Sequence, residues 1–155
     1  MSLGDPYVPT PPELVRAKLE FGEVTEHDVV FDLGCGDGRV LIMACLEYGA
    51  RAVGVDIQTG VVEEAWAEVA EHHLDDQIEI RCEDYFDTDL QTADLIVLYL
   101  TTRTLHSISG KLEEVRSGTR IVTHDYPLSG WDLTEQTTFT DDDGRVSPLF
   151  LYVRG

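Results

Sequence analysis

Residues 31–40 read FDLGCGDGRV. An apolar run, DVVFDLG (28–34), leads into this stretch, and a segment with helical character, GRVLIMACLEYG (38–49), leads out of it. A strand that enters a glycine-rich turn and leaves as a helix is the first unit of an α/β fold holding a nucleotide-like ligand at the turn. Gly34, Gly36 and Gly38 let the backbone turn sharply and approach that ligand closely. Asp56 closes the next predicted strand, RAVGVDI (51–57), 22 residues after Gly34. That spacing places a carboxylate at the hydroxyls of a ribose.

The residues around the turn narrow the ligand. A dinucleotide fingerprint, G-x-G-x-x-G, needs its third glycine at position 39, which is Arg39; the glycine comes one residue early. Asp32 precedes the first glycine and Asp37 lies inside the turn. Carboxylates disfavour a pyrophosphate at a helix N-terminus and favour a cation. S-adenosylmethionine carries a sulfonium and an ammonium. Asp32 suits the ammonium, directly or through water, with the glycine backbone along the methionine portion.

The rest of the chain repeats the strand–helix alternation. Residues 12–22, PELVRAKLEFG, predict an amphipathic helix with Leu14, Val15, Leu19 and the Lys18 stem on one face. Residues 60–74 predict a helix with Val61, Val62, Ala65, Trp66 and Val69 on one side. QIEIRCE (77–83) and the apolar run ADLIVLYL (93–100) predict strands, residues 104–116 a helix and GTRIVTHDY (118–126) another strand. WDLTEQTTFT and RVSPLFLYVR flank DDDG (141–144) as a β-hairpin with a tight acidic turn, a simpler reading than a metal site. The sequence predicts no metal. Strands alternating with helices, closed by a hairpin, give a mostly parallel α/β sheet with an antiparallel edge.

A chain of 155 residues fits one domain with a real core. We expect a short arm over 1–10 and a single domain over 11–155. The longest apolar run, LIVLYL (95–100), is too short to span a bilayer, so no membrane partner is expected. Cys35, Cys45 and Cys82 form no CxxC pair, which fits a reduced, cytoplasmic protein. The 30 acidic residues outweigh 11 basic ones, of which only Lys18 and Lys111 are lysine, for a net charge of −19. This balance repels nucleic-acid phosphates. It fits either a basic partner or adaptation to high salt, where the Debye length is only about 3 Å and net charge steers little.

The pattern closely resembles the class I S-adenosylmethionine-dependent methyltransferases. DLGCGDGR (32–39) matches their first motif, Asp56 their second-strand acid, and CEDYF (82–86) the segment after their third strand. The resemblance implies a Rossmann-like three-layer sandwich. Its sheet would have seven strands in the order 3-2-1-4-5-7-6, with an antiparallel C-terminal hairpin strand. It implies S-adenosylmethionine as cofactor, with Asp84 meeting the adenine amino group and Tyr85 packed on the ring. Cys35 and Ile57, beside the glycine loop and the ribose acid, join the implied cofactor set.

The methyl acceptor should enter at the carboxyl ends of strands four and five. The Asn/Asp-Pro-Pro-aromatic element of enzymes acting on planar nitrogens is missing from LYLTT (98–102), which sets nucleic-acid bases low. Tyr99 lies at that strand exit, beside the transferring methyl. THDYP (123–127) offers His124, Asp125 and Tyr126 to orient an amine or accept its proton. His27, His72, His73 and His106 carry no partner signal.

An aromatic-Val-Pro entry arm, the glycine loop and a Trp after strand five resemble the ATP synthase c-subunit lysine methyltransferase lineage. That resemblance implies a protein lysine amine as acceptor. A small-molecule methyltransferase and a non-catalytic S-adenosylmethionine-binding module stay open beside it. The arm, YVPTPPELV (7–15), adds Tyr7 and Thr10 as candidates to line the pocket. Its prolines lower the entropy cost of ordering it.

Overall fold

The computed structural model describes residues 10–155. Twelve segments are ordered along them: helix α1 (Pro12–Phe21), strand β1 (Val29–Leu33), α2 (Arg39–Tyr48), β2 (Arg51–Asp56), α3 (Thr59–Glu71), β3 (Ile78–Cys82), a 3₁₀ turn (Tyr85–Asp87), β4 (Leu95–Leu98), α4 (Thr102–Leu112), β5 (Arg120–His124), β6 (Glu135–Thr140) and β7 (Val146–Val153). They build one seven-stranded sheet in the order β3-β2-β1-β4-β5-β7-β6. The first five strands pair in parallel, and β7 runs antiparallel to both β5 and β6. The expected α/β sandwich and strand order are therefore the observed ones. Among the described residues no helix is long and apolar enough to cross a membrane.

Strand pleating divides the core into two layers. Val30, Val97 and Val122 face one side, packed with Val15 and Leu19 of α1, Leu41 and Ala44 of α2, and Val62, Ala65 and Val69 of α3. Phe31, Ile96, Leu98 and Ile121 face the other, against Leu105, Ile108 and Leu112 of α4. Each fully buried aliphatic side chain of this kind contributes roughly 1.5–3 kcal/mol. Trp66 departs from the expected helix face. It is 37% exposed, because the narrow seam of α3 is already filled by Val62, Ala65 and Val69.

The same alternation positions the site. Asp32, Tyr99 and His124 each follow an α1-facing valine by two residues, so all three point to the layer that α1 covers. Strands β4 and β5 end earlier than the sequence suggests, at Leu98 and His124. Asp125 ends β5 because its backbone turns into the left-handed region at φ 68°, a conformation that Asp tolerates better than most residues. Helix α1 is held over the sheet by Arg120, which donates to the Gly22 carbonyl at 2.8 Å and to the Asp28 carboxylate at 2.6 Å. The DDDG stretch is the β6–β7 turn, where the Asp141 carboxylate accepts from the amides of Asp143 and Arg145.

Candidate active site

A cavity of about 890 Å³ opens along the carboxyl edge of β1 through β5. Its first wall is the glycine loop. Gly34, Gly36 and Gly38 all have positive φ, and the amides of Gly34 and Cys35 both donate to the Val55 carbonyl, at 2.7 and 3.0 Å. Gly54 makes room for this loop: a Cβ there would sit 2.5 Å from Leu41 Cδ1 and 2.9 Å from Cys35 Sγ. Burial pushes the Cys35 thiol up, so its sulfur is an uncharged wall rather than a nucleophile.

Acidic side chains stand at the ends of the next strands. Asp56 accepts from the Gly36 amide at 3.3 Å and from the Gln58 amide at 3.1 Å, and it lines the cavity with Ile57. Asp84 caps the 3₁₀ turn by accepting from the Phe86 amide at 3.0 Å. That turn presents Tyr85 and Phe86, with ring centroids 5.3 Å apart, as an aromatic wall. Tyr99, then Thr101, Arg103 and Ser107 near the start of α4, and Tyr126 complete the lining.

The deepest part holds two opposite charges. Lys18 is 1% exposed and Asp32 is 7% exposed, and both line the cavity. Among the described residues neither side chain makes a hydrogen bond or an ion pair. The Lys18 ammonium lies 4.8 Å from the centroid of the Tyr99 ring. Burial lowers the Lys18 ammonium from its ordinary value, with Asp32 opposing. Burial raises the Asp32 carboxyl, again opposed by its partner across the cavity.

The structure thus brings together most of the anticipated residues: Thr10, Asp32, Gly34, Cys35, Asp56, Ile57, Asp84, Tyr85, Tyr99 and Tyr126 all line the one cavity. Others stand back from it. The Asp37 carboxylate is engaged by Arg39, at 3.1 Å from Nε and 2.7 Å from Nη2, so the loop acid faces a side chain of its own chain. Gly36 and Gly38 shape the loop without lining the cavity.

His124 is buried and lines a separate pocket of about 60 Å³, shared with Tyr99, Asp141 and Arg145. Asp125 lines neither space. It accepts from the Tyr99 hydroxyl at 3.4 Å and faces Arg145 at 3.5 Å. Tyr7 lies outside the described residues. The sequence reading left Lys18, Gln58, Phe86 and Arg103 without a role. Only Lys18 carried a signal, a charged residue on the apolar stripe of a helix.

Comparison with known proteins identifies the chemistry. The model of the ANTKMT methyltransferase domain matches residues 32–135. The chain belongs to the ANTKMT methyltransferase domain family. A protein-lysine N-methyltransferase of Saccharolobus islandicus (strain REY15A) is 36% identical over 153 residues, covering 97% of this chain and 94% of that relative. An ATP synthase c-subunit lysine N-methyltransferase of Caenorhabditis elegans is 26% identical over 140 residues, covering 84% of this chain and 73% of the relative.

Among solved structures, an RNA methyltransferase from Salinibacter ruber in complex with S-adenosyl-L-homocysteine superposes with a TM-score of 0.87 at 32% identity. The match covers 95% of this chain and 94% of that one. This methyltransferase therefore uses S-adenosylmethionine. Its cavity fits that cofactor: a buried carboxylate that no described residue partners, a close glycine wall, strand-end acids and an aromatic wall.

Proposed function

We propose that this methyltransferase transfers the methyl group of S-adenosylmethionine to a lysine amine of a protein. The observation that carries the reading is the likeness over almost the whole chain to a relative named as a protein-lysine N-methyltransferase. The cofactor supplies a methyl group activated by its sulfonium, so the chain contributes alignment and exclusion of water. In this reading Asp32 takes the ammonium, and Gly34 and Cys35 follow the methionine portion. Asp56 takes the ribose, Ile57 packs beside it, Asp84 meets the adenine amino group and Tyr85 covers the ring.

The acceptor amine comes between Tyr99 and Tyr126 and must arrive neutral. The Tyr99 hydroxyl is already hydrogen-bonded to the Asp125 carboxylate. This pair orients the neutral amine and receives the proton that the methylated ammonium sheds after the N–C bond forms and the C–S bond breaks. His124 keeps Tyr99 in place by stacking on it. In this reading residues 11–155 form the catalytic domain, and Thr10, just before it, contributes to the pocket wall. Free Cys35, Cys45 and Cys82 agree with a reduced, cytoplasmic setting.

The name of the Salinibacter ruber structure favours RNA as a second acceptor. A net charge of −19 opposes it, since phosphates are repelled. Incubation with isotopically labelled cofactor and cell extract, followed by protease, ribonuclease and mass spectrometry, separates the two. Label on protein lysines supports the proposal. Label released only by ribonuclease, or found only in small molecules, refutes it.

A further inference from the structure

A buried ammonium without a hydrogen bond is costly, and a neighbouring ring face recovers only part of that cost. A buried carboxylate without a partner carries a similar cost. Lys18 and Asp32 present both at the bottom of one cavity, out of ion-pair contact with each other. The other cation near this end, Arg39, is committed to Asp37 and to the Thr10 carbonyl, to which it donates at 2.7 Å. A ligand with one charge would leave either Lys18 or Asp32 unanswered. A ligand with a carboxylate and an ammonium on the same carbon answers both.

We propose that Lys18 receives the carboxylate of the cofactor's amino-acid end while Asp32 receives its ammonium, so that the two side chains select a zwitterionic ligand. Lys18 is then a cofactor-specificity residue delivered by α1. Tyr99 sets its ring face under the ammonium, 4.8 Å from the ring centroid, at the cavity wall. The assignment rests on the placement of the methionine portion at Asp32.

Calorimetry tests it with three ligands: S-adenosylmethionine, its decarboxylated form, which lacks only the carboxylate, and 5′-methylthioadenosine, which lacks the whole amino-acid end. The wild-type chain should bind S-adenosylmethionine about ten- to hundredfold more tightly than the decarboxylated form, the usual worth of a charged hydrogen bond. Lys18→Met should erase that preference while leaving 5′-methylthioadenosine within about twofold of wild type, and Lys18→Arg should restore part of it.

Equal affinity of wild type for the first two ligands would overturn the proposal, and this measurement needs no variant to fold. An equal loss for all three ligands in Lys18→Met would overturn it too, by showing that Lys18 only supports the fold. A wild-type chain that binds 5′-methylthioadenosine but gains nothing from the amino-acid end would remove the placement at Asp32 itself.

Discussion

The imidazole of His124 lies against the phenol of Tyr99, with ring centroids 3.9 Å apart and planes inclined by 28°. This stack joins the exits of β4 and β5; Tyr99 lines both the large cavity and the small pocket, and His124 lines the small pocket. Neither ring nitrogen of His124 has a hydrogen-bond partner among the described residues. Its Nε2 is 3.3 Å from Asp125 Oδ1, but that approach lacks hydrogen-bond geometry. Burial first, and then the nearby charges of Lys18 and Arg145, push the imidazole down to about 3, so it is neutral at ordinary pH.

That neutrality makes His124 an acid-sensitive element of stability. The unfolded imidazole takes up a proton below its ordinary value of 6.5, the folded one only below about 3. Between those values the unfolded chain binds more protons, and stability falls as pH falls. At about pH 5 the loss attributable to this group is roughly 2 kcal/mol. His124→Phe keeps the stack and removes the titration. Its urea midpoint should gain on wild type as pH drops from about 7.5 to about 5. A difference between the two proteins that stays constant across this range would sink the idea.

Tyr99→Phe separates the hydroxyl from the ring. The ring stays under Lys18 and against His124, while the donor to Asp125 is lost. Cofactor affinity should remain within about twofold, and kcat should drop by about tenfold or more, the worth of a hydrogen bond to a charged group. Loss of cofactor affinity with kcat unchanged would reassign Tyr99 to cofactor binding alone.

Asp56→Ala removes the acid at the end of β2. Binding of S-adenosylhomocysteine should weaken by about 1–3 kcal/mol. The loss should be equal for 5′-methylthioadenosine, because both ligands carry the ribose. Calorimetry with the two ligands gives the comparison. Unchanged affinity for both would mean that the ribose lies elsewhere.

Much of this was legible because the chemistry is local in sequence. The glycine loop, Asp32 and Asp56 sit at strand ends whose positions follow from apolar runs, and period-two alternation fixes which way each points. What was not legible depends on one element meeting another. Lys18 read as a stem on a buried stripe, but its ammonium reaches the cavity only because α1 lies over Asp32 and Tyr99. Asp37 read as a cofactor acid, yet its carboxylate is captured by Arg39 two residues on, the residue that breaks the dinucleotide fingerprint. His124 and Asp125 are neighbours in sequence. Even so, the left-handed turn at Asp125 sends one into the small pocket and the other under the Tyr99 hydroxyl.

Gly54→Ala tests the close approach of β2 to the loop. The added methyl would meet Leu41 and Cys35 inside van der Waals distance. Overpacking of this kind costs about 1–3 kcal/mol. The displaced Cys35 would also disturb the loop, so cofactor affinity should fall together with the melting temperature. A variant as stable as wild type would show that Leu41 and Cys35 yield freely.

Arg39 links the start of the described chain to the glycine loop. Its guanidinium donates to both oxygens of Asp37 and to the carbonyl of Thr10, and Thr10 itself is buried and lines the cavity. Arg39→Met keeps an apolar stem and removes these three bonds. The site is about one-third exposed, so solvent recovers part of the loss, and a cost of about 1–2 kcal/mol follows. Arg39→Lys should fall between the two, because an ammonium cannot reproduce the two-pronged contact with Asp37 while reaching Thr10. Urea midpoints of the three proteins give the order directly. If Met and Lys were equally damaging, the planar fork rather than the charge would be what closes Thr10 onto the loop. If neither altered the midpoint, the Thr10 contact would contribute nothing to holding this wall of the cavity.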